Sequence, residues 1–228
     1  MSLTFTNIVC GYGDTLVVRG VSGQVQAGRA LAIVGRNGVG KSTLLKGLAG
    51  LLPLAQGQLI WGGRDITGSA LHTRVALGMA YTPQDNVVFA ELSVAENLWL
   101  HLDDRDADRY TELFGQFPLL ARRQNQRSGS LSGGERKLLA FTRTLGLRPK
   151  LALLDEPTEG VQPENIDRMA HLIRQRKSTG ASFIIVEQNL EFVSAFADDV
   201  IVLDHGEQVL QGALDDLGRE RIEQHIVV

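Results

Sequence analysis

The octapeptide GRNGVGKS at residues 35–42 constrains the fold more than any other stretch of the chain. It fits G-x-x-x-x-G-K-[ST] in full, follows the apolar run ALAIV and opens the helical spacing of KSTLLKGLAGL. A glycine-rich turn between a strand and a helix is built to hold phosphate. Its backbone N–H groups wrap the oxygens, Lys41 reaches the terminal phosphates, and the Ser42 hydroxyl can ligate Mg²⁺. A chance glycine-rich turn would not require the flanking strand and helix. Such a loop needs a buried strand ending in a carboxylate beside it, and LALLDE at residues 151–156 supplies one. Asp155 at the strand's mouth is expected to hold the Mg²⁺, and Glu156, pointing elsewhere, to polarise an attacking water.

The rest of the chain arranges itself around these two strands. Short apolar runs separated by turns (LTFTNIVCGYG, RALAIVG, GQLIWGG) predict strands, partly antiparallel, in the first part. From about residue 91 to 147 the pattern turns helical, in SVAENLWLHL, DADRYTELFGQF and GERKLLAFTRTLGL. After Pro149 strands and helices alternate again: LALLDE, the helix PENIDRMAHLIRQRKS, then SFIIVEQ. DVIVLDHGEQVLQG predicts a hairpin turning at His205 and Gly206. The sum is an α/β core interrupted by a helical insertion. Trp61 and Trp99 are expected to pack rather than to serve a site.

Composition removes several classes of function. The 228 residues hold 23 Lys and Arg against 26 Asp and Glu, so no basic excess points to a nucleic-acid partner. The single cysteine, Cys10, forms no internal disulfide and no cysteine-based zinc cluster. No apolar run approaches the roughly 18 residues that would span a bilayer, and MSLTFTNIVC has no signal-peptide pattern. A cytosolic-type chain is expected, with any membrane contact made through a partner.

Three kinds of phosphate-loop protein compete. A GTPase would carry N-K-x-D to read its base, and the sequence has none. A small-molecule kinase would carry an arginine-bearing lid. Arg122, Arg123 and Arg127 in RRQNQR imitate one but read better as a solvated loop. The third alternative explains LSGGE at residues 131–135, a serine and two glycines opening a helix, which is itself an anion-binding start. A plain N-cap and helix start is the alternative reading of LSGG and is compatible with the cap geometry.

With that stretch the sequence resembles the ABC-type ATPases over essentially its whole length. The motifs stand in family order. Tyr12 in GYGD falls where such proteins stack an aromatic on adenine, and residues 35–43, with Gly35, Asn37, Gly38, Gly40, Lys41, Ser42 and Thr43, form the Walker A loop. Gln84 in YTPQD matches the Q-loop, LSGGE the signature, and residues 151–156 the Walker B strand. The resemblance implies an α/β P-loop core with an N-terminal antiparallel β-subdomain. It implies one ATPase domain over 1–228, its core and β-subdomain in 1–90 and 148–228, and a helical subdomain carrying the signature in 91–147. It implies ATP and Mg²⁺ as cofactors, with Ser42, Gln84 and Asp155 at the metal, and Lys41, Glu156 and Gln188 in hydrolysis. In that family the units pair head to tail. Ser132, Gly133 and Gly134 would therefore meet the nucleotide held by a partner, and ATP would act as glue between closed and open dimers.

One ATPase unit without a membrane span, a long coiled coil or a tandem copy resembles the separate subunit of a bacterial importer. GRNGVGKST, DEPTEGVQPENI and VEQNL narrow the likeness to the second ATPase of branched-chain amino acid importers, whose relatives handle urea and short amides. The implied partners are integral-membrane permease subunits, a second ABC ATPase (identical or different) and, indirectly, a solute-binding protein. The implied place is the cytoplasmic face of the bacterial inner membrane. A soluble ABC ATPase that assembles other proteins is the competing class. The sequence departs from the wider family in two places. Gln162 stands where many members have Asp after Walker B, and Gln188 stands where most have His.

Overall fold

The computed structural model describes residues 1–226 except 101, 103–105 and 107. The first part contains β1 (Leu3–Tyr12), β2 (Thr15–Val25), β3 (Ala30–Val34), α1 (Lys41–Ala49), β4 (Leu54–Trp61), β5 (Arg64–Asp65), α2 (Leu71–Ala76) and β6 (Met79–Thr82). Next come α3 (Val94–Trp99), α4 (Asp108–Gln116), α5 (Pro118–Arg122), a 3₁₀ turn at Ser128–Ser130 and α6 (Gly133–Gly146). The last part holds β7 (Leu151–Asp155), α7 (Pro163–Ser178), β8 (Ser182–Glu187), α8 (Leu190–Phe196), β9 (Asp199–Asp204), β10 (Glu207–Ala213), α9 (Leu214–Leu217) and α10 (Arg219–Ile226).

Two sheets result. The smaller is wholly antiparallel in the order β2-β1-β4-β5. The larger runs β10-β9-β3-β8-β7-β6, parallel throughout except for the β9–β10 hairpin at its edge. Its central strands read as unbroken apolar runs because both faces are covered. On β3, Leu31 and Ile33 pack towards α1 and the antiparallel sheet. Ala30, Ala32 and Val34 face the opposite cluster, with residues of α6, α7 and α8. Because the three parallel strands β3, β8 and β7 are neighbours, their carboxyl ends lie side by side, the usual crevice for a ligand in such sheets.

Local signals explain the helices. α3 and α6 both start with a capping box: Ser93 and Ser132 accept from the backbone of Glu96 and Glu135, whose side chains reach back. α7 opens on Pro163 and ends with Arg176 and Lys177, which suits its dipole. The helix expected from SVAENLWLHL is shorter, ending at Trp99, and position 101 lies outside the described residues, as does 107 in DADRYTELFGQF. Trp99 packs edge-on to Tyr110, ring centroids 4.8 Å apart, and Trp61 is buried. Tyr110 in turn lies against Gly146 of α6, where a Cβ would fall 2.2 Å from the ring.

α1 is tied down at its far end by Arg74 of α2, which is only 1% exposed. Its guanidinium donates to the carbonyls of Gly47 and Leu48 at 2.8 and 2.6 Å, and to those of Ser69, Ile66 and Thr67 at 2.9, 3.2 and 3.0 Å. Burial lowers its pKa to about 10.

Candidate nucleotide site

The loop between β3 and α1 has the backbone that its glycines predict. Gly35, Gly38 and Gly40 have φ of 150°, 80° and 104°, and a Cβ on Gly35 would lie 2.3 Å from the Leu203 carbonyl. α1 begins directly after Gly40 with no side-chain cap and no acidic residue in its first turn, so its N–H groups stay available to an anion. Thr43 is buried in that first turn. Lys41 is 4% exposed and curls back over the loop, donating to the Gly35 and Arg36 carbonyls at 2.9 Å each. Its ammonium also lies 3.6 Å from Glu156. Burial lowers the Lys41 pKa, and Glu156 opposes that shift.

The end of β7 presents two carboxylates with different surroundings. Asp155 Oδ1 accepts from Ser42 Oγ at 2.8 Å, while Oδ2 is buried with no hydrogen-bond partner among the described residues. Burial raises the Asp155 pKa, only partly offset by the Ser42 bond. A hydroxyl and a half-satisfied buried carboxylate are a hard-oxygen donor pair of the kind Mg²⁺ takes, so these residues fit that ion. Glu156 turns away from them with φ of 44°, a left-handed conformation that costs a non-glycine residue about 1–2 kcal/mol. Its carboxylate meets three donors: Gln84 Nε2 at 2.8 Å, Gln188 Nε2 at 2.9 Å and the Lys41 ammonium. Gln188 Nε2 also donates to Asn37 Oδ1 at 2.6 Å.

Asn37, Lys41, Ser42, Gln84, Asp155, Glu156 and Gln188 therefore form one cluster. Tyr12 stands apart at the end of β1, 49% exposed, with Lys46 of α1 donating to its hydroxyl at 3.3 Å. Ser132, Gly133 and Gly134 lie at the start of α6, and among the described residues no hydrogen bond joins them to the cluster. Gly134 abuts the chain just beyond β7; a Cβ there would be 2.2 Å from the Gly160 carbonyl.

Two residues of the surroundings carry no motif signal. Glu187 is buried at the end of β8 and accepts from the Thr158 hydroxyl and N–H and from the N–H groups of Gln188 and Asn189, at 2.6 to 3.3 Å. Burial raises its pKa against those four bonds. It joins the segment after β7 to the turn bearing Gln188. Lys137 of α6 donates to the main-chain oxygen of Glu156 at 3.0 Å. A charged residue next to a motif was the signal available for each, but its partners, mostly backbone atoms, are not located by sequence spacing.

A phosphate-wrapping loop, a buried acidic strand end beside it and a second glycine-rich helix start define a P-loop ATPase. The model of the ABC transporter family matches residues 18–159, and the chain belongs to that family. It is 35% identical over 212 residues to the high-affinity branched-chain amino acid transport ATP-binding protein BraG of Pseudomonas aeruginosa, covering 91% of each chain. The probable branched-chain amino acid transport ATP-binding protein LivF of Archaeoglobus fulgidus is 34% identical over 212 residues, 91% of this chain and 90% of that one. The lipopolysaccharide export system ATP-binding protein LptB of Escherichia coli is 32% identical over 218 residues, 92% and 90%. Among solved structures, a nucleotide-free ATP-binding cassette from an ABC transporter superposes with a TM-score of 0.83 at 27% identity, covering 99% of this chain and 95% of that one. The expected ABC ATPase fold and enzyme class are thereby borne out. The chain is an ATP-binding, ATP-hydrolysing subunit of a transporter.

Proposed function

We propose that the chain hydrolyses ATP to power an importer of the branched-chain amino acid type. The observation that carries the hydrolytic part is the convergence of Lys41, Gln84 and Gln188 on the Glu156 carboxylate at the mouth of β7. The α1 N–H groups and Lys41 bind the β- and γ-phosphates, which displaces the ammonium from its own loop carbonyls. Glu156 orients a water against the γ-phosphorus and takes its proton as the new P–O bond forms and the β–γ bridging oxygen leaves. Gln188 contacts the γ-phosphate and keeps Glu156 aimed. Ser42 and Asp155, with Gln84 nearby, hold Mg²⁺, which when bound neutralises phosphate charge. Tyr12, exposed beside α1, stacks on adenine. Ser132, Gly133 and Gly134 cap the γ-phosphate bound by a second ABC ATPase.

The importer assignment is supported by the two branched-chain amino acid transport relatives. Among the described residues no helix is long and apolar enough to cross a membrane. In this reading permease subunits supply the path, and the chain sits peripherally on their cytoplasmic side. A cleft of about 620 Å³ between the Gln84 loop and the start of α6, walled by Val87, Ala90, Gly129 and Arg136, suits a helix of such a subunit. It lies beside the helical segment 91–147, which we assign as the docking unit. A solute-binding protein would deliver the solute. The likeness to LptB supports a second reading, an export ATPase.

Two experiments test this. Glu156→Gln should retain ATP binding, slow hydrolysis by about 10²-fold or more and accumulate a closed dimer on size-exclusion chromatography with Mg-ATP. Hydrolysis at the parent rate would remove Glu156 from its role. Affinity purification at native expression should recover membrane permeases, and vesicles rebuilt from that complex should take up labelled leucine in an ATP-dependent way. Recovery of lipopolysaccharide-export components instead would move the chain to the second reading.

A further inference from the structure

Among the described residues, Lys137 is the one buried cation of the site's surroundings that the hydrolytic scheme leaves unused. It lies on α6 just over one turn beyond the cap residue Ser132, 9% exposed. Its best contact is with a main-chain oxygen. Nζ donates to the Glu156 carbonyl at 3.0 Å and lies 3.5 Å from Glu159 Oε2. Glu159 Oε2 also accepts from Gln84 Nε2 at 3.4 Å, and the same Gln84 nitrogen donates to Glu156 Oε2 at 2.8 Å. The four residues thus close a ring from α6, through the backbone and side chain of Glu156, to the Gln84 loop and back.

The conformation of Glu156 gives this ring its significance. At φ of 44° the residue sits where only glycine is at ease, and something must hold it there. Two bonds to its own peptide groups do so: its N–H donates to the Val186 carbonyl of β8 at 3.0 Å, and its carbonyl accepts from Lys137. The β8 bond is internal to the sheet. The Lys137 bond comes from α6, whose first turn is pressed against Gly160. An ammonium nearly withdrawn from water needs strong acceptors, and here a backbone oxygen and a single carboxylate serve. Removing it would free the peptide after Glu156 to rotate and carry the carboxylate away from Lys41 and Gln188.

We infer that Lys137 is a positioning residue for hydrolysis. From α6 it fixes the carbonyl of Glu156, holds that residue left-handed and thereby sets the aim of its carboxylate. The helix whose start bears Ser132 and the paired glycines is then mechanically joined to the chain's own hydrolytic group. The inference rests on the role proposed for Glu156.

The test compares Lys137→Met, Lys137→Arg, Glu156→Gln and the double variant Lys137→Met/Glu156→Gln. All are full-length, assembled with the co-purifying subunits, with the second ATPase's own site silenced, and assayed with Mg-ATP. A misplaced reacting group can cost on the order of 10²-fold, so Lys137→Met should lower kcat about 10- to 100-fold while KM changes less than about twofold. Lys137→Arg, which keeps a charged donor, should recover most of the rate. If Lys137 acts through Glu156, the double variant should be no more than about twofold slower than Glu156→Gln alone. A parent kcat in Lys137→Met, or losses that multiply in the double variant, would overturn the inference. So would a fall in kcat matched by a lower melting temperature that arginine does not restore. Should Lys137→Met fail to fold, Lys137→Gln takes its place under the same criteria. A Glu156→Gln variant with the parent rate would instead sink the role of Glu156, a result readable without the Lys137 series.

Discussion

Replacing Gln188 with alanine removes a donor whose two hydrogens are both in use. One goes to Asn37 Oδ1 at 2.6 Å and the other to Glu156 Oε1 at 2.9 Å. Glu156 Oε2 keeps its bond from Gln84, but Oε1 is left with only the Lys41 ammonium at 3.6 Å, beyond hydrogen-bond range. A hydrogen bond to a charged group contributes about 1.5–3 kcal/mol. Gln188 is partly exposed, so water replaces some of that, and the low end applies. About 1.4 kcal/mol corresponds to one decade in rate, so kcat should fall about 10-fold. The α1 N–H groups and Lys41, which carry most of the phosphate binding, are untouched, so KM for ATP should hold within about twofold. Phosphate release under saturating Mg-ATP, in the assembled transporter with the second site silenced, reads kcat. A fluorescent nucleotide reads binding. A variant that hydrolyses ATP at the parent rate would refute the reasoning and leave Gln188 as a loop residue only. Gln188→His should be tolerated. Its imidazole gains a second donor as pH falls through its pKa, ordinarily about 6.5. That variant alone should therefore show a step in kcat near neutral pH.

Three further outcomes are expected. Gly146→Ala drives a methyl group into the Tyr110 ring at 2.2 Å and should destabilise the protein by about 1–3 kcal/mol in urea unfolding; an unchanged midpoint would mean that α4 and α6 are not packed as described. Glu187→Gln replaces two acceptor sites by an NH₂ facing N–H groups. With that group 3% exposed, a loss of about 2–4 kcal/mol should appear in the same assay. The lowered Lys41 pKa gives a pH signature. ATP affinity should be full below the depressed value and fall as pH rises through it, earlier than an ordinary lysine would titrate. Nucleotide-free stability should move oppositely, rising over that window because the folded state binds fewer protons than the unfolded one. Nucleotide titrations and denaturation curves across alkaline pH check both signs.

The elements with strong periodicity were legible from residues alone. PENIDRMAHLIRQRKS is α7 to the residue, LALLDE holds β7, which ends one residue earlier at Asp155, and the turn at His205 and Gly206 joins β9 to β10. GRNGVGKS announced its loop because glycines at fixed offsets are needed wherever backbone must approach phosphate. The antiparallel pairing of β1 with both β2 and β4 was only partly legible, since pairing partners depend on topology. Short helices such as α2 and α8 gave too few turns for a periodic signal. Lys137, Glu187 and Arg74 escaped for one reason. Each is a buried charged side chain bonded largely to main-chain groups, and a sequence records which side chains exist but not which backbone carbonyls or N–H groups will need them.

The five bonds from Arg74 have a consequence for how ligand binding is felt elsewhere. The guanidinium receives the negative end of α1, while phosphate would receive its positive end, so the helix is a strut gripped at both tips. Among the described residues no carboxylate shares in the grip, so it does not loosen when acids are protonated. Any load placed on the N-terminal tip is passed to residues 66–74, on the edge of the antiparallel sheet. Nucleotide that tightens α1 therefore also stabilises that edge, by the same mass action that stabilises the whole molecule. Amide protons around β5 and α2 should slow their exchange when ATP is bound, although Arg74 grips the end of α1 opposite the phosphate loop.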